Sequence, residues 1–243
     1  SAGKAHSIPK NEIQKKEFYD VNVTGTLNLL KGLEKLTFPK QFVFISSVSV
    51  YGEDFGNNIN ENHSLNAKDP YGLSKIEAEQ LVRSWCEKNK VTCTILRLPL
   101  LVGENPPGNL GAMIKAITQG YYFNIAHGKA RKSMVLAKDV AAFILRAAER
   151  GGVYNLTDGF HPSFSELSLA ISRSRNKRRP LNLPKKTAKL VGIVGDYLGS
   201  KAPLNSLKVK KMTSDLTFDD TRARTILDWK PQSVVEYINN NKI

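Results

Sequence analysis

The sequence predicts an α/β protein built on a doubly wound parallel sheet, and three observations carry that expectation. Helix-length segments alternate with short strand-like runs, the order that places parallel strands between layers of helices. The run Gln41-Phe42-Val43-Phe44-Ile45-Ser46-Ser47 is strand-like, with a helical pattern on either side of it. At 243 residues and 41% hydrophobic, the chain can bury a substantial core, as one domain or one and a half.

In chain order, a long helix is expected from about Asn11 to Leu36, then a strand at 41–47, a helix at about 70–89 and a strand at 91–97. Residues 135–150 read as a strand turn followed by a helix, and 153–156 as a short strand. Two stretches leave this alternation, about 100–132 and 158 to the end, where Ser163-Phe164-Ser165-Glu166 reads as a capping box opening a helix. The expected division is therefore a sheet domain of 1–100 and 133–157, with a smaller C-terminal lobe of 101–132 and 158–243. No internal repeat or low-complexity tract interrupts it.

Composition narrows the classes. Cys86 and Cys93 have neither metal-site spacing nor a disulfide framework and read as two reduced thiols of a cytoplasmic protein. His6, His63, His127 and His161 form no ligand pattern, so no metal site is expected. There is no signal-peptide pattern at the start and no apolar run of about 18 residues that could span a bilayer. Charge is concentrated: of the net +14, +11 lies between Arg173 and Lys211, where twelve Lys and Arg face the single Asp196. No aromatic residue interrupts the dense part, 173–179, and no nucleic-acid fold signature accompanies it, so no specific nucleic-acid partner is expected. A solvated helix end and loop is the plain reading of 173–211. A weak contact with an anionic membrane surface is the other, because Leu190-Val191-Gly192-Ile193-Val194 and Tyr197-Leu198 lie in an amphipathic stretch there.

The chemistry-bearing pattern is Tyr71-Gly72-Leu73-Ser74-Lys75. Residues four apart on a helix lie one above the other, so the Lys75 ammonium can approach the Tyr71 phenol. A neighbouring cation favours the phenolate, lowering a pKa that is ordinarily about 10. If the Ser47 hydroxyl reaches the same point from its strand end, three groups converge where an alcohol carbon could be oxidised.

The order of Phe42–Gly52, a polar stretch, the Asp69-Pro70-Tyr71 entry into a helix and Leu96-Arg97-Leu98-Pro99 resembles the extended short-chain dehydrogenase/reductase (NAD-dependent epimerase/dehydratase) family, in its nucleotide-sugar 4-epimerase subgroup. Ser1–His6 looks like the end of that family's fourth strand, Val21–Leu30 like the helix carrying its buried Asn, and Asp220–Arg224 with Leu227–Pro231 like its C-terminal signature. The resemblance implies a Rossmann-type sheet with a substrate-binding C-terminal lobe. It implies Ser47, Tyr71 and Lys75 as catalytic: Ser47 binding the sugar O4, Tyr71 exchanging the 4-hydroxyl proton, Lys75 holding the nicotinamide ribose and lowering the Tyr71 pKa. Gly3, Asn22, Ser46, Tyr71, Lys75, Pro99 and Leu101 would border NAD, or NADP in a reductase. Ser47, Asn109, Arg131 and Lys132 would meet a UDP-sugar, although Lys132 stands where many relatives have Arg, which changes bidentate phosphate contact. Asn109 reads equally as a helix cap, and Asn22 also as an amide bracing its helix against the sheet. A homodimer is expected.

Two departures set the alternatives. The related sugar dehydratases carry Asp-Glu after the Ser or Thr, for a second acid and base, whereas Val48 and Ser49 stand here, which argues against dehydration. Epimerisation through a transient 4-keto sugar is the first reading and one-way 4-keto reduction the alternative, since both use the same three residues. The glycine-rich turn that cradles a dinucleotide pyrophosphate does not occur in these 243 residues. The sheet is thus expected to be N-terminally incomplete. An inactive fragment that only binds nucleotide or self-associates is the alternative of another class.

Overall fold

In the computed structural model, which describes residues 3–5, 9, 11–198 and 205–241, the strands named below pair in parallel only, as an α/β chain requires. The long first helix is α1 (Glu12–Tyr19) and α2 (Gly25–Leu33), joined by a π-helical turn, Asp20–Thr24. Asn11 caps its start, accepting from the Gln14 N–H at 2.9 Å. In the π turn Asn22 and Val23 are the buried residues.

The chain continues through β1 (Gln41–Ser47), a 3₁₀ turn at Val48–Tyr51, β2 (Gly56–Ile59), α3 (Pro70–Lys88), β3 (Thr92–Leu98) and β4 (Leu100–Val102). Next come α4 (Gly108–Gln119), β5 (Phe123–Ile125), β6 (Met134–Leu136), α5 (Ala137–Ala148), β7 (Gly152–Asn155) and α6 (Phe164–Ser174). The last part holds β8 (Leu181–Leu183), α7 (Lys185–Leu198), α8 (Ser206–Thr213), β9 (Leu216–Phe218), α9 (Thr221–Leu227) and α10 (Val234–Asn240). The expected capping box is present at α6, with Ser163 and Glu166 bonded reciprocally.

A three-stranded sheet in the order β1-β3-β7 forms the centre. On one of its faces Phe42, Phe44 and Cys93 pack with Leu30, Val82, Trp85 and Cys86. On the other, Val43, Ile45, Leu96 and Leu98 pack with Val140, Phe143, Leu227 and Trp229. Helices thus cover both faces, which is why β1 is apolar almost throughout rather than alternating. A separate core joins Val102 and the inner side of α4 to Ile171, Val234 and Ile238. Cys86 and Cys93 are free thiols.

The structure adds short strands that the sequence pattern conceals. The polar stretch after Gly52 contains β2, paired with β9 from the far end of the chain, and β4 pairs with β6. These strands have three or four residues, and in β2 only Ile59 is buried, so neither length nor alternation marks them. The strand expected at 91–97 runs one residue later, at Thr92–Leu98.

Near the carboxyl ends of the central strands, Ser46, Arg97 and Asn155 stand in register across β1, β3 and β7. Glu79 of α3 closes over this row, taking the Arg97 guanidinium at 2.7 and 3.1 Å and the Ser46 hydroxyl at 2.5 Å. Arg97 also donates to the Tyr51 hydroxyl at 3.1 Å, and that hydroxyl donates to Asn155 at 2.7 Å. Asn155 in turn donates to the carbonyls of Ile59 and Asp219. Burial works against the Arg97 cation, but the hydrogen bonds and charge of Glu79, with Tyr51, hold its pKa above the ordinary value. Removing one member of such a pair leaves a buried charge uncompensated, so Glu79→Ala should cost about 3–5 kcal/mol. Urea unfolding at neutral pH measures this, and a loss below about 1 kcal/mol would show that the network carries little of the fold.

Candidate active site

Local chemistry brings α3 to the end of β1. Asp69 caps the helix, its carboxylate accepting from the N–H groups of Tyr71 and Gly72 at 3.1 and 3.0 Å, and Pro70 occupies the first turn. Gly72 makes the approach sterically feasible: a Cβ there would stand 2.5 Å from the Ala67 Cβ and 2.7 Å from the Ser49 carbonyl oxygen. The helix start therefore presses directly on the turn that follows Ser47.

The Ser47 side chain comes close enough to the Tyr71 phenol to lower its pKa, which places the two groups together at the end of β1. Ser47 also bonds Ser49, whose hydroxyl lies 3.1 Å away. The Tyr71 ring packs against Phe18 of α1, with centroids 6.1 Å apart. Burial pushes the Tyr71 phenol up from its ordinary value and Asp69 adds to this, while Ser47 opposes it.

Lys75 corrects part of the expectation. Its ammonium donates to the Ile45 carbonyl at 2.8 Å and sits 4.7 Å from the Phe44 ring centroid, beneath α3 rather than against the phenol. No influence of Lys75 lowers the Tyr71 pKa in this arrangement. The side chain is 8% exposed, and burial lowers its pKa from 10.5 to about 8, with Glu79 one turn on opposing the shift. An ammonium has three donors, and Ile45 is its one hydrogen-bond acceptor among the described residues.

The remaining residues divide. Asn22 is buried and braces the fold: its side chain accepts from the Lys4 N–H at 2.9 Å and donates to the Lys4 carbonyl and the Ser74 hydroxyl. That ties the segment containing Gly3 and Lys4 to α3, and a Cβ on Gly3 would stand 3.7 Å from the Asn22 oxygen. The Ser46 hydroxyl is turned into the core onto Glu79, which corrects its placement beside the cofactor. Ser46 shares a sheet face with Phe42 and Phe44, beneath α3. Leu101, two residues after Pro99, is 38% exposed. Asn109 is not a helix cap: Pro107 holds the N-cap position and no side chain bonds there. Arg131 is engaged at the surface, donating to the His161 carbonyl at 3.0 Å with Glu166 3.5 Å away. Lys132, whose backbone bridges in parallel to Leu216, has its pKa lowered by burial, against the pull of Asp215. Sequence reasoning missed Glu79, Arg97 and Tyr51 as one unit; the turn-spaced Lys75 and Glu79 on α3 were the available signal.

A surface depression of about 350 Å³, lined by Glu53, Phe55 and Asn57–Asn60 with His63, includes none of Ser47, Tyr71 and Lys75. Ser47 and the start of α3 lie instead at the carboxyl end of β1, the edge at which open α/β sheets bind ligands.

Residues 1–157 match the NAD dependent epimerase/dehydratase family. An N-acetyl-alpha-D-glucosaminyl-diphospho-ditrans,octacis-undecaprenol 4-epimerase of Escherichia coli O157:H7 is 34% identical over 219 residues, which cover 86% of this chain and 66% of the relative. A UDP-glucose 4-epimerase of Vibrio cholerae is 26% identical over 250 residues, covering 97% of this chain and 72% of its own length. The fold matches that of a UDP-glucuronic acid 4-epimerase from Bacillus cereus, in complex with NAD, at a TM-score of 0.75 and 17% identity, over 99% of this chain and 69% of the other. This chain thus spans about two thirds of the length of the Escherichia coli relative.

The lowered Lys75 pKa yields a stability prediction. Below pH 8 the ammonium is charged in both folded and unfolded chain, and the fold bears the full burial penalty, about 3 kcal/mol for a shift from 10.5 to about 8. Between about pH 8 and 10.5 only the folded chain releases the proton, so the penalty shrinks to nothing. Lys75→Met, which also loses the bond to Ile45, should therefore raise stability by about 1–3 kcal/mol at pH 7 and by much less at pH 10. Urea midpoints at the two pH values test it, and a variant less stable at pH 7 would contradict the burial argument.

Proposed function

Because the chain belongs to the NAD dependent epimerase/dehydratase family, we propose that the protein it represents is an NAD-dependent nucleotide-sugar 4-epimerase of the UDP-glucose or UDP-GlcNAc type. The observation that carries this reading is the meeting of Ser47 and Tyr71 at the end of β1 with the buried cation of Lys75 behind them. Val48 and Ser49 occupy the positions where a dehydratase needs its extra acid and base, which supports redox chemistry at C4 alone.

The residues present fit the nicotinamide half of a dinucleotide. Lys75 is charged near neutral pH and, among the described residues, uses one ammonium donor, and Tyr71 offers a hydroxyl one turn earlier on the same helix. Tyr71, Lys75 and the 99–101 backbone would hold that half. When bound, NAD supplies the acceptor and donor of hydride at the sugar C4. Tyr71 takes the O4 proton in the oxidative half and returns it in the reductive half. Ser47, close to the same phenol, orients O4. Lys75 supplies the positive charge that favours the deprotonated phenol once its ammonium engages the ligand side. Asn109, Arg131 and Lys132 belong to the UDP end in this reading, within a substrate-binding lobe of 101–132 and 158–243. Ser47 and Lys75 belong to the sheet domain, 1–100 with 133–157. The reading also includes a homodimer and a contact of the cationic segment 173–211 with a membrane.

A second substrate reading follows from one further observation. The Escherichia coli relative is named for a sugar on a polyprenyl diphosphate, and α7 exposes Leu190, Ile193, Val194 and Tyr197. A lipid-diphosphate-linked sugar presents the same hexose C4 on a different anchor, so assays of the full-length protein with UDP-GlcNAc and with GlcNAc-diphosphopolyprenol separate the two. Net consumption of reduced cofactor with a 4-keto sugar would instead establish a reductase.

In the full-length protein, Tyr71→Phe should lower turnover by about 10²–10⁴-fold while sugar-nucleotide affinity stays within a few-fold, because only the proton-transfer group is lost. Turnover within a few-fold of wild type would remove Tyr71 from the chemistry.

A further inference from the structure

Helix α7 is packed inside out. Among the described side chains of α7, Ala188, Gly192 and Gly195, spaced as one helical face, are the buried ones, and they are small. A Cβ on Gly192 would stand 3.2 Å from both the Ser206 nitrogen and the Val209 side chain, so small residues let α7 lie closely against α8. The large apolar side chains point outward: Leu190 is 66% exposed, Ile193 50%, Val194 59% and Tyr197 89%. Residues 190, 193, 194 and 197 stand at i, i+3, i+4 and i+7, which makes one continuous apolar stripe. A stripe of this size left in water marks a surface that something covers.

Charge indicates what covers it. Lys185, Lys186 and Lys189 are exposed on the first turns of the same helix. Lys177, Arg178 and Arg179 are exposed on the loop after α6, and α8 adds Lys208, Lys210 and Lys211. Lys211 pairs with Asp54, and the acid of α7 itself, Asp196, is occupied in accepting from the Ser206 N–H at 3.1 Å. A second copy of this chain seated on the stripe would bring two clusters of exposed Lys and Arg together, which disfavours self-association there. Nucleic acid would match the charge but not the aliphatic stripe. A helix with an apolar face and flanking lysines suits the boundary of an anionic bilayer, where the stripe enters the acyl region and the lysines reach the headgroups.

We propose that α7 is a membrane-docking helix, which lays Leu190, Ile193, Val194 and Tyr197 into an anionic lipid surface while Lys185, Lys186 and Lys189 contact its headgroups. The proposal gives the membrane contact named above a specific element and stands independently of the 4-epimerase reading. Its readout is binding, not turnover, so its failure leaves that reading intact.

Co-sedimentation of the full-length protein with phosphatidylcholine vesicles and with equimolar phosphatidylcholine and phosphatidylglycerol vesicles tests it. The protein should pellet with the anionic vesicles only, and raised salt should release it. The triple variant Leu190→Ser, Ile193→Ser, Val194→Ser should lose about tenfold or more of the binding, as should Lys185→Gln, Lys186→Gln, Lys189→Gln. Because all six side chains are exposed, both variants should keep the wild-type circular dichroism spectrum. No pelleting, equal pelleting with both vesicle types, or binding unaffected by the serine variant would overturn the proposal. A dimer in gel filtration that the serine variant dissolves would assign the stripe to a second copy and overturn it as well.

Discussion

The ion pair between Glu79 and Arg97 is the interaction on which the rest of the structure depends. Both side chains are almost wholly buried, 3% and 2% exposed for Arg97 and Glu79, so the pair exists only because each remaining polar atom around it finds a partner. Arg97 comes from β3, Glu79 from α3, Ser46 from β1, Tyr51 from the turn after β1 and Asn155 from β7. Asn155 then holds the end of β2 through Ile59 and the backbone just after β9 through Asp219. One polar row thus fixes strand register, the seating of α3 and the return of the C-terminal segment against the sheet.

That seating positions the chemistry. Glu79 and Lys75 are one turn apart on α3, so the helix that is locked by one carries the other, and Tyr71 stands one turn before Lys75. Gly72 and the Asp69 cap bring this helix start against the turn after Ser47. The same packing places the Lys75 ammonium on the Ile45 carbonyl, at a cost in burial that lowers its pKa.

The local elements were legible in the sequence where their signals are local. Asp69-Pro70 marks a helix start, Ser163 and Glu166 a capping box, and the apolar run 42–45 a strand, and all three stand where expected. The pairing of Ser47 with Tyr71 was legible for the same reason, as a helix entry following a strand end. The direction of Ser46 was not, because a strand covered on both faces has no alternation to reveal which face a residue takes. The Glu79–Arg97 pair was hidden too. An Arg in a strand and a Glu on a helix look like surface charges until the tertiary fold joins them, as does β2 before it meets β9. Helical spacing put Tyr71 and Lys75 on one face but did not say that a strand carbonyl would capture the ammonium.

The central claim is that Ser47, Tyr71 and Lys75 serve a hydride transfer at the sugar C4 that is reversed within one turnover. Incubating the full-length protein with a UDP-sugar deuterated at C4 tests it most directly. The account predicts that the epimerised product retains the deuterium at C4, since the hydride leaves and returns without exchanging with water. Wash-out of the label into solvent would mean that the carbon is inverted by deprotonation, which would contradict the roles given to all three residues.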